Sequence, residues 1–82
     1  MKNYDKYTAY KFTISETEEI LRNLLDDDGI YLQPRTNFYE AKSENVFLDG
    51  HEVDERLAQF LNVSKCEHYR SEDGIVVLVI EE

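Results

Sequence analysis

The chain has 82 residues, and its 18 Asp and Glu against nine Lys and Arg give a formal net charge of -9. That length suits one domain, 1–82, in which we expect residues 1–6 to be frayed. The negative charge disfavours direct binding to nucleic acid or to anionic lipid, because both select Lys and Arg. The longest apolar run, Ile75 to Ile80, falls far short of the roughly 20 residues of a membrane helix. We therefore expect neither nucleic acid nor a membrane as a direct partner.

The cysteine content indicates a reducing compartment. Cys66 is the only cysteine, so an intramolecular disulfide is impossible, whereas small secreted domains commonly rely on several. The first residues lack the basic and then apolar pattern of a signal peptide. The sequence therefore predicts a cytoplasmic protein.

The first two elements are a strand and a helix. Residues 7–14 show a period of two, which predicts a half-buried strand with a core-facing row of Tyr10, Phe12 and Ile14. Ser15 and Glu18 have the spacing of a capping box, so we expect a helix over residues 16–28 with Gly29 as its C-cap. Its apolar stripe consists of Ile20, Leu21, Leu24 and Leu25.

Short strands follow this helix. Residues 30–33 form a strand that Pro34 ends, and residues 38–42 form the next one. Residues 46–48 are a candidate further strand. Residues 35–37 and 43–45 are predicted to form the turns between these segments.

The second helix begins near Asp49 and ends at Asn62. Glu52 and Arg56 have the spacing and the orientation of a favourable ion pair on its outer face. Its apolar stripe consists of Val53, Leu57, Phe60 and Leu61.

The last segment predicts a hairpin. Residues 66–70 and 75–80 form its arms, and Asp73-Gly74 is the strongest turn signal. Six consecutive apolar residues in the second arm indicate a central strand covered on both faces, or a face used for self-association. The order β-α-β-β-α-β-β predicts an α+β domain with an antiparallel or mixed sheet and two helices on one face, as in a ferredoxin-like arrangement.

Asp26, Asp27 and Asp28 are placed by this assignment on the last turn of the first helix. The helix dipole disfavours acids at that end by about 0.3–1 kcal/mol each. One interpretation is a negative surface that contacts a partner, and the other is a solvated helix end whose small cost is tolerated. The spacing to Gly29 does not fit a calcium loop.

The charge is unevenly distributed along the chain. Residues 12–33 carry a net charge of -5, and residues 71–82, which include Glu72 and Asp73, carry -4. If the two segments share a side, their field resembles that of nucleic acid, and acids at alternate strand positions repeat at about 6.6 Å, close to a phosphate step. The simpler interpretation is that net charge keeps a small protein soluble.

Four tyrosines fall on the strand faces opposite the predicted core. Tyrosine is favoured at interfaces because it is large, rigid and amphipathic. On a sheet, tyrosines also pack across strands without any partner. The four are Tyr7, Tyr31, Tyr39 and Tyr69.

Cys66 and His68 share one face of a strand, but further metal ligands at usual spacing are lacking, and His51 is the only other histidine. As a nucleophile and base they lack an orienting group. We expect a core cysteine and a surface or edge histidine, and neither catalysis, nor a metal, nor a cofactor.

These features together favour an inhibitor or adaptor that binds a basic protein surface. In size, charge and α+β design the chain resembles the small acidic proteins that phages encode against host defences, such as anti-CRISPR proteins and DNA mimics. The resemblance implies a nucleic-acid-binding enzyme as target, in the host cytoplasm if the protein is phage-encoded. The protein-binding residues would be Asp26, Asp27, Asp28, Glu72, Asp73, Tyr31, Tyr39 and Tyr69. The alternative is a self-associating structural or accessory protein, for which a homodimer is the expected form.

Overall fold

The computed structural model describes residues 7–80, and of Tyr7 the backbone alone. The elements are β1 (Tyr7–Phe12), α1 (Ile14–Leu25), β2 (Tyr31–Pro34), β3 (Tyr39–Lys42), β4 (Phe47–Leu48), α2 (Gly50–Leu61), β5 (Cys66–Ser71) and β6 (Gly74–Ile80). The α+β class and the order of elements are confirmed, with β4 as the further short strand. Within the described range, neither helix is long and apolar enough to cross a membrane.

The six strands form two antiparallel sheets where one sheet was expected. The large sheet has the order β1-β6-β5, and the small sheet has the order β2-β3-β4. Each strand of the small sheet pairs with its neighbour in the chain, so that sheet closes locally over residues 31–48. The sheets meet where the Arg70 N–H donates to the Asn37 carbonyl oxygen over 2.8 Å.

β6 is the central strand of the large sheet, as predicted. Its side chains alternate in exposure, because both helices pack on one side only. Ile75, Val77 and Val79 are buried, whereas Val76, Leu78 and Ile80 on the other side are half-buried. The apolar run is therefore not covered equally on both faces.

α1 begins two residues earlier than predicted. The Thr13 hydroxyl accepts from the Glu16 N–H over 3.0 Å, and the Glu16 carboxylate accepts from the Thr13 N–H over 2.8 Å. This capping box replaces the one predicted at Ser15, and Ile14 belongs to the helix. The helix ends at Asp26, a left-handed C-cap with φ 54°, so Asp26 takes the role predicted for Gly29. The three aspartates therefore follow the helix and do not lie on its last turn.

α2 has the predicted limits. Asp49 is its N-cap, in a capping box with Glu52, and Asn62 is a left-handed C-cap with φ 60°. The predicted pair of Glu52 and Arg56 does not form, because the Glu52 carboxylate accepts from the Asp49 N–H over 3.0 Å. Arg56 instead donates to Gln59 over 3.5 Å.

The core lies between the helices and the two sheets. Leu21 of α1 and Val53 and Leu57 of α2 are fully buried, as their stripes predict. Phe60 is 48% exposed although its position on the stripe predicts burial. Other buried apolar residues are Ile30, Leu32, Tyr39, Ala41, Leu48, Ala58, Cys66, Ile75, Val77 and Val79.

Candidate binding surfaces

Tyr39, His68 and Asp54 form a buried polar network where the small sheet meets β5. The Tyr39 N–H donates to Nε2 of His68 over 3.0 Å, and the His68 N–H donates to the Asp54 carboxylate over 2.9 Å. Because Nε2 accepts, Nδ1 carries the ring proton and donates it to the same carboxylate over 2.5 Å. His68 is 4% exposed and Tyr39 is 8% exposed. The prediction of an outward Tyr39 is therefore wrong. His68 lies on an edge strand of the large sheet, which was one of its two predicted positions, but it is not at the surface because the small sheet covers this part of β5.

Cys66 is a core residue, as predicted, and is 3% exposed. Its thiol donates to the Asp54 carbonyl oxygen over 3.3 Å. The pKa of the thiol is raised to about 11, mainly by burial and further by the negative charges of Asp54 and Glu67. At neutral pH Cys66 is therefore a protonated thiol, and both ring nitrogens of His68 are already hydrogen-bonded. In this arrangement the two residues stabilise the core.

An open groove of about 430 Å³ lies beside this network at the start of α2. Phe38, His51 and Tyr69 are among its walls. His51 pairs with Glu55 on the helix surface, with 3.2 Å between Nε2 and Oε2. Among residues 7–80, no group of three or more His, Cys, Asp or Glu side chains is placed to hold a metal ion. Both polar and apolar residues therefore line this groove.

The three aspartates predicted to bind a partner have different environments. Asp27 accepts from the Ser43 hydroxyl over 2.7 Å and from the Gly29 N–H over 3.0 Å. These hydrogen bonds, that of Ser43 foremost, lower the pKa of Asp27. Asp27 thus joins the loop after α1 to the turn after β3, whereas Asp26 and Asp28 are exposed.

Tyr31 is 45% exposed, and its predicted outward position is confirmed. It borders an open groove of about 510 Å³ together with Asp27, Asp28 and Glu44. Three predicted binding residues, Tyr31, Asp27 and Asp28, therefore border one groove.

Glu72 and Asp73 are exposed in the turn between β5 and β6. They border a groove of about 350 Å³ together with Glu16 of the first turn of α1. α1 has 12 residues and is therefore about 18 Å long. The hairpin turn lies at the start of α1, whereas Asp26 and Asp28 lie at its end.

Tyr69 is 42% exposed, which confirms its predicted outward position, and its hydroxyl donates to the Glu67 carboxylate over 2.5 Å. The side chain of Tyr7 lies outside the described residues. So do Glu81 and Glu82, which supply half of the negative charge predicted for the last segment. The eight residues predicted to bind a partner, in contrast, all lie within residues 7–80.

α1 also carries a surface that sequence analysis did not single out. Four exposed residues with spacings of three, four and three form what we term the α1 acidic row: Glu16, Glu19, Asn23 and Asp26. Beside it is an open space of about 440 Å³, the α1 groove, whose apolar lining is Phe12, Ile20, Leu24 and Phe60. Phe60 and Phe12 pack edge to face with centroids 6.5 Å apart. The sequence shows the spacing of the row, but it did not predict the groove, because Phe60 was expected to be buried.

Comparison with known proteins yields no match. No family model, no curated protein and no solved structure matches the chain.

Proposed function

We propose that this protein binds a basic protein partner through the α1 acidic row and the α1 groove. The partner we propose is a nucleic-acid-binding enzyme whose nucleic-acid site is covered in the complex. On this proposal the protein acts in the cytoplasm by binding alone, without catalysis and without a cofactor. The observation that carries the proposal is the alignment of exposed carboxylates along one side of α1, directly beside an exposed apolar groove.

The charge supports a basic partner. From the turn with Glu72 and Asp73 to Asp28, carboxylates extend along the roughly 18 Å of α1. At about 3.4 Å of duplex axis for each phosphate of one strand, this length corresponds to roughly five base-pair steps. The acids lie on a helix and in turns, and not at alternate strand positions as expected, so their spacing is irregular. The acids therefore extend over the length of a phosphate-binding site, but they do not match the position of each phosphate.

The α1 groove supports a contact with protein. Exposed charge pairs contribute only about 0.2–1 kcal/mol each and are screened by salt. Burial of apolar area adds about 25 cal/mol per Å² in the absence of other costs. Phe60, which is 48% exposed, gives a partner side chain such apolar area to cover. This surface therefore fits a folded basic protein that presents an apolar side chain among its Lys and Arg side chains.

The test is affinity capture of the tagged protein from host lysate at about 50 and 300 mM salt, followed by mass spectrometry. We expect a basic nucleic-acid-binding protein that is retained at low salt and lost at high salt. The purified partner should then bind the double variant Glu19→Gln with Asp26→Asn, two members of the α1 acidic row, about ten-fold more weakly than the unmodified protein. Asn tolerates the left-handed conformation of position 26, so the helix end is preserved.

The control is the double variant Glu52→Gln with Glu55→Gln, which makes the same change in charge on α2. It should bind as the unmodified protein does, because Gln also completes a capping box at position 52. Phe60→Ala should weaken binding without altering its salt dependence. Equal affinities for the α1 and α2 variants, or a partner that does not release nucleic acid when the protein binds, would contradict the proposal.

A further inference from the structure

The outer face of the large sheet, which is turned away from the helices, differs in character from the rest of the molecule. Val76, Leu78 and Ile80 run along its centre and are half-buried. Among the side chains that β1, β5 and β6 present on this face, the charged ones are Lys11 and Glu67. A chain with a net charge of -9 thus has one apolar sheet face with balanced charge.

The strand register sets the two charges on opposite sides of β6. Lys11 of β1 pairs with Val76, and Glu67 of β5 pairs with Leu78. Strands lie about 4.8 Å apart, and alternate residues repeat at about 6.7 Å along a strand. Lys11 and Glu67 therefore stand at diagonal positions, about 12 Å apart between their Cα atoms, with the apolar centre between them.

We propose that a second copy of this chain covers this face, by two-fold stacking of the two large sheets about an axis parallel to β6. Such an axis places β6 over β6 and β1 of each copy over β5 of the other. Packed sheets lie about 10 Å apart with strands within about 30° of each other. Along the strand direction, Lys11 of each copy then stands one alternate position, about 6.7 Å, from Glu67 of the second copy. Two pairs of opposite charge therefore flank the apolar centre.

Charge complementarity selects this axis over the other in-plane axis. An axis perpendicular to β6 places β1 over β1, so that Lys11 of both copies stands on the same side and Glu67 of both copies on the other. Like charges on facing positions are unfavourable, and opposite charges are favourable. The acidic residues of α1 lie on the opposite side of the sheet about either axis. The exposed turn with Glu72 and Asp73 stands at the same end of both copies about the axis parallel to β6, and this repulsion limits the strength of the dimer.

The size of the face predicts a weak dimer. Three strands of about six residues give a footprint of roughly 14 by 20 Å. That is well below the roughly 800 Å² per partner of a standard interface. The dimer should therefore form at high protein concentration and dissociate on dilution. It leaves the α1 acidic row and the α1 groove accessible, so this proposal stands independently of the proposed function.

The test is sedimentation velocity of the full chain from about 10 µM to 1 mM, a range that covers weak association. We expect the sedimentation coefficient to rise with concentration towards that of a dimer. Lys11→Glu and Glu67→Lys should each weaken self-association at least ten-fold. An equimolar mixture of the two variants should restore it, because each variant then meets opposite charge in the other.

Two controls separate this geometry from an effect of net charge. Lys42→Glu, at an exposed position of the small sheet, makes the same charge change as Lys11→Glu and should associate as the unmodified protein does. Glu67→Lys lowers the negative charge, so a pure net-charge effect would strengthen association where we expect weakening. A monomer over the whole range, variants that associate unchanged, or a mixture that stays monomeric would each overturn the proposal.

Discussion

Asp54 is the residue on which the junction of α2, β5 and the small sheet depends. Its carboxylate accepts two hydrogen bonds from His68, and its carbonyl oxygen accepts the Cys66 thiol. His68 in turn accepts the Tyr39 N–H of β3. One side chain of α2 thus sets the tautomer of a buried histidine and, through it, the position of the neighbouring sheet.

Replacement of Asp54 should be strongly destabilising. Asp54→Ala leaves the main-chain N–H and the Nδ1–H of His68 without an acceptor, and each such loss costs about 1–3 kcal/mol. We expect the free energy of unfolding in urea at neutral pH to fall by about 2–4 kcal/mol. Glu55→Ala, at an exposed neighbouring position, should change it by less than about 0.5 kcal/mol. Similar losses in the two variants would show that the network does not hold the junction.

Cys66 should make stability depend on alkaline pH. Its pKa is raised from 9.0 to about 11, mainly by burial, so the folded state holds the thiol proton more tightly than the unfolded state does. This contribution to stability is complete below about pH 9 and is lost as the pH rises through about 11. The difference in unfolding free energy between the unmodified protein and Cys66→Ala should therefore shrink over that range. Tyrosine titration is common to both proteins, and a difference that stays constant would contradict the assignment.

The start of α1 shows how two local signals compete. Thr13 with Glu16 and Ser15 with Glu18 both fit a capping box in sequence. In the structure the Glu18 carboxylate accepts from the Leu32 N–H of β2 over 2.9 Å, so it is engaged in a tertiary contact. Thr13 is the first residue after β1, and the helix begins there.

Substitutions at the two candidate caps should separate these alternatives. Thr13→Ala should lower the free energy of unfolding by about 1 kcal/mol, because the Glu16 N–H loses its acceptor. Ser15→Ala should leave it unchanged or raise it slightly, since Ala has the higher helix propensity. Chemical denaturation followed by far-ultraviolet circular dichroism measures both. The opposite ranking would place the cap at Ser15.

Across the whole molecule, the two proposed surfaces differ in charge and lie on opposite sides of the large sheet. The acidic row follows α1 on the helix side, whereas the outer face carries one positive and one negative side chain in its three strands. A dimer through the outer face would present two acidic rows to solvent. Occupation of one surface should therefore leave the affinity of the other unchanged.

Sequence patterns determined the class, the order of elements, both limits of α2 and the central position of β6. These are local properties: capping residues, turn residues and the period of apolar side chains are each read within a few positions. The exposure of Tyr31 and Tyr69 followed from the alternation of strand faces, and the burial of Cys66 followed from its residue type. The prediction of Tyr39 from that alternation failed, because the alternation assigns a side chain to a face and does not say whether another element covers that face.

Only the tertiary structure decided which faces are covered. The division into two sheets buries Tyr39 and His68. The open α1 groove leaves Phe60 exposed, and the hydroxyl of Ser43 holds the carboxylate of Asp27 by a hydrogen bond. Each of these outcomes depends on contacts between residues that are far apart in the chain. A local sequence pattern does not encode such contacts. The composition of the chain thus determined how much negative charge its surface carries, whereas packing between distant segments determined which carboxylates remain available to a partner.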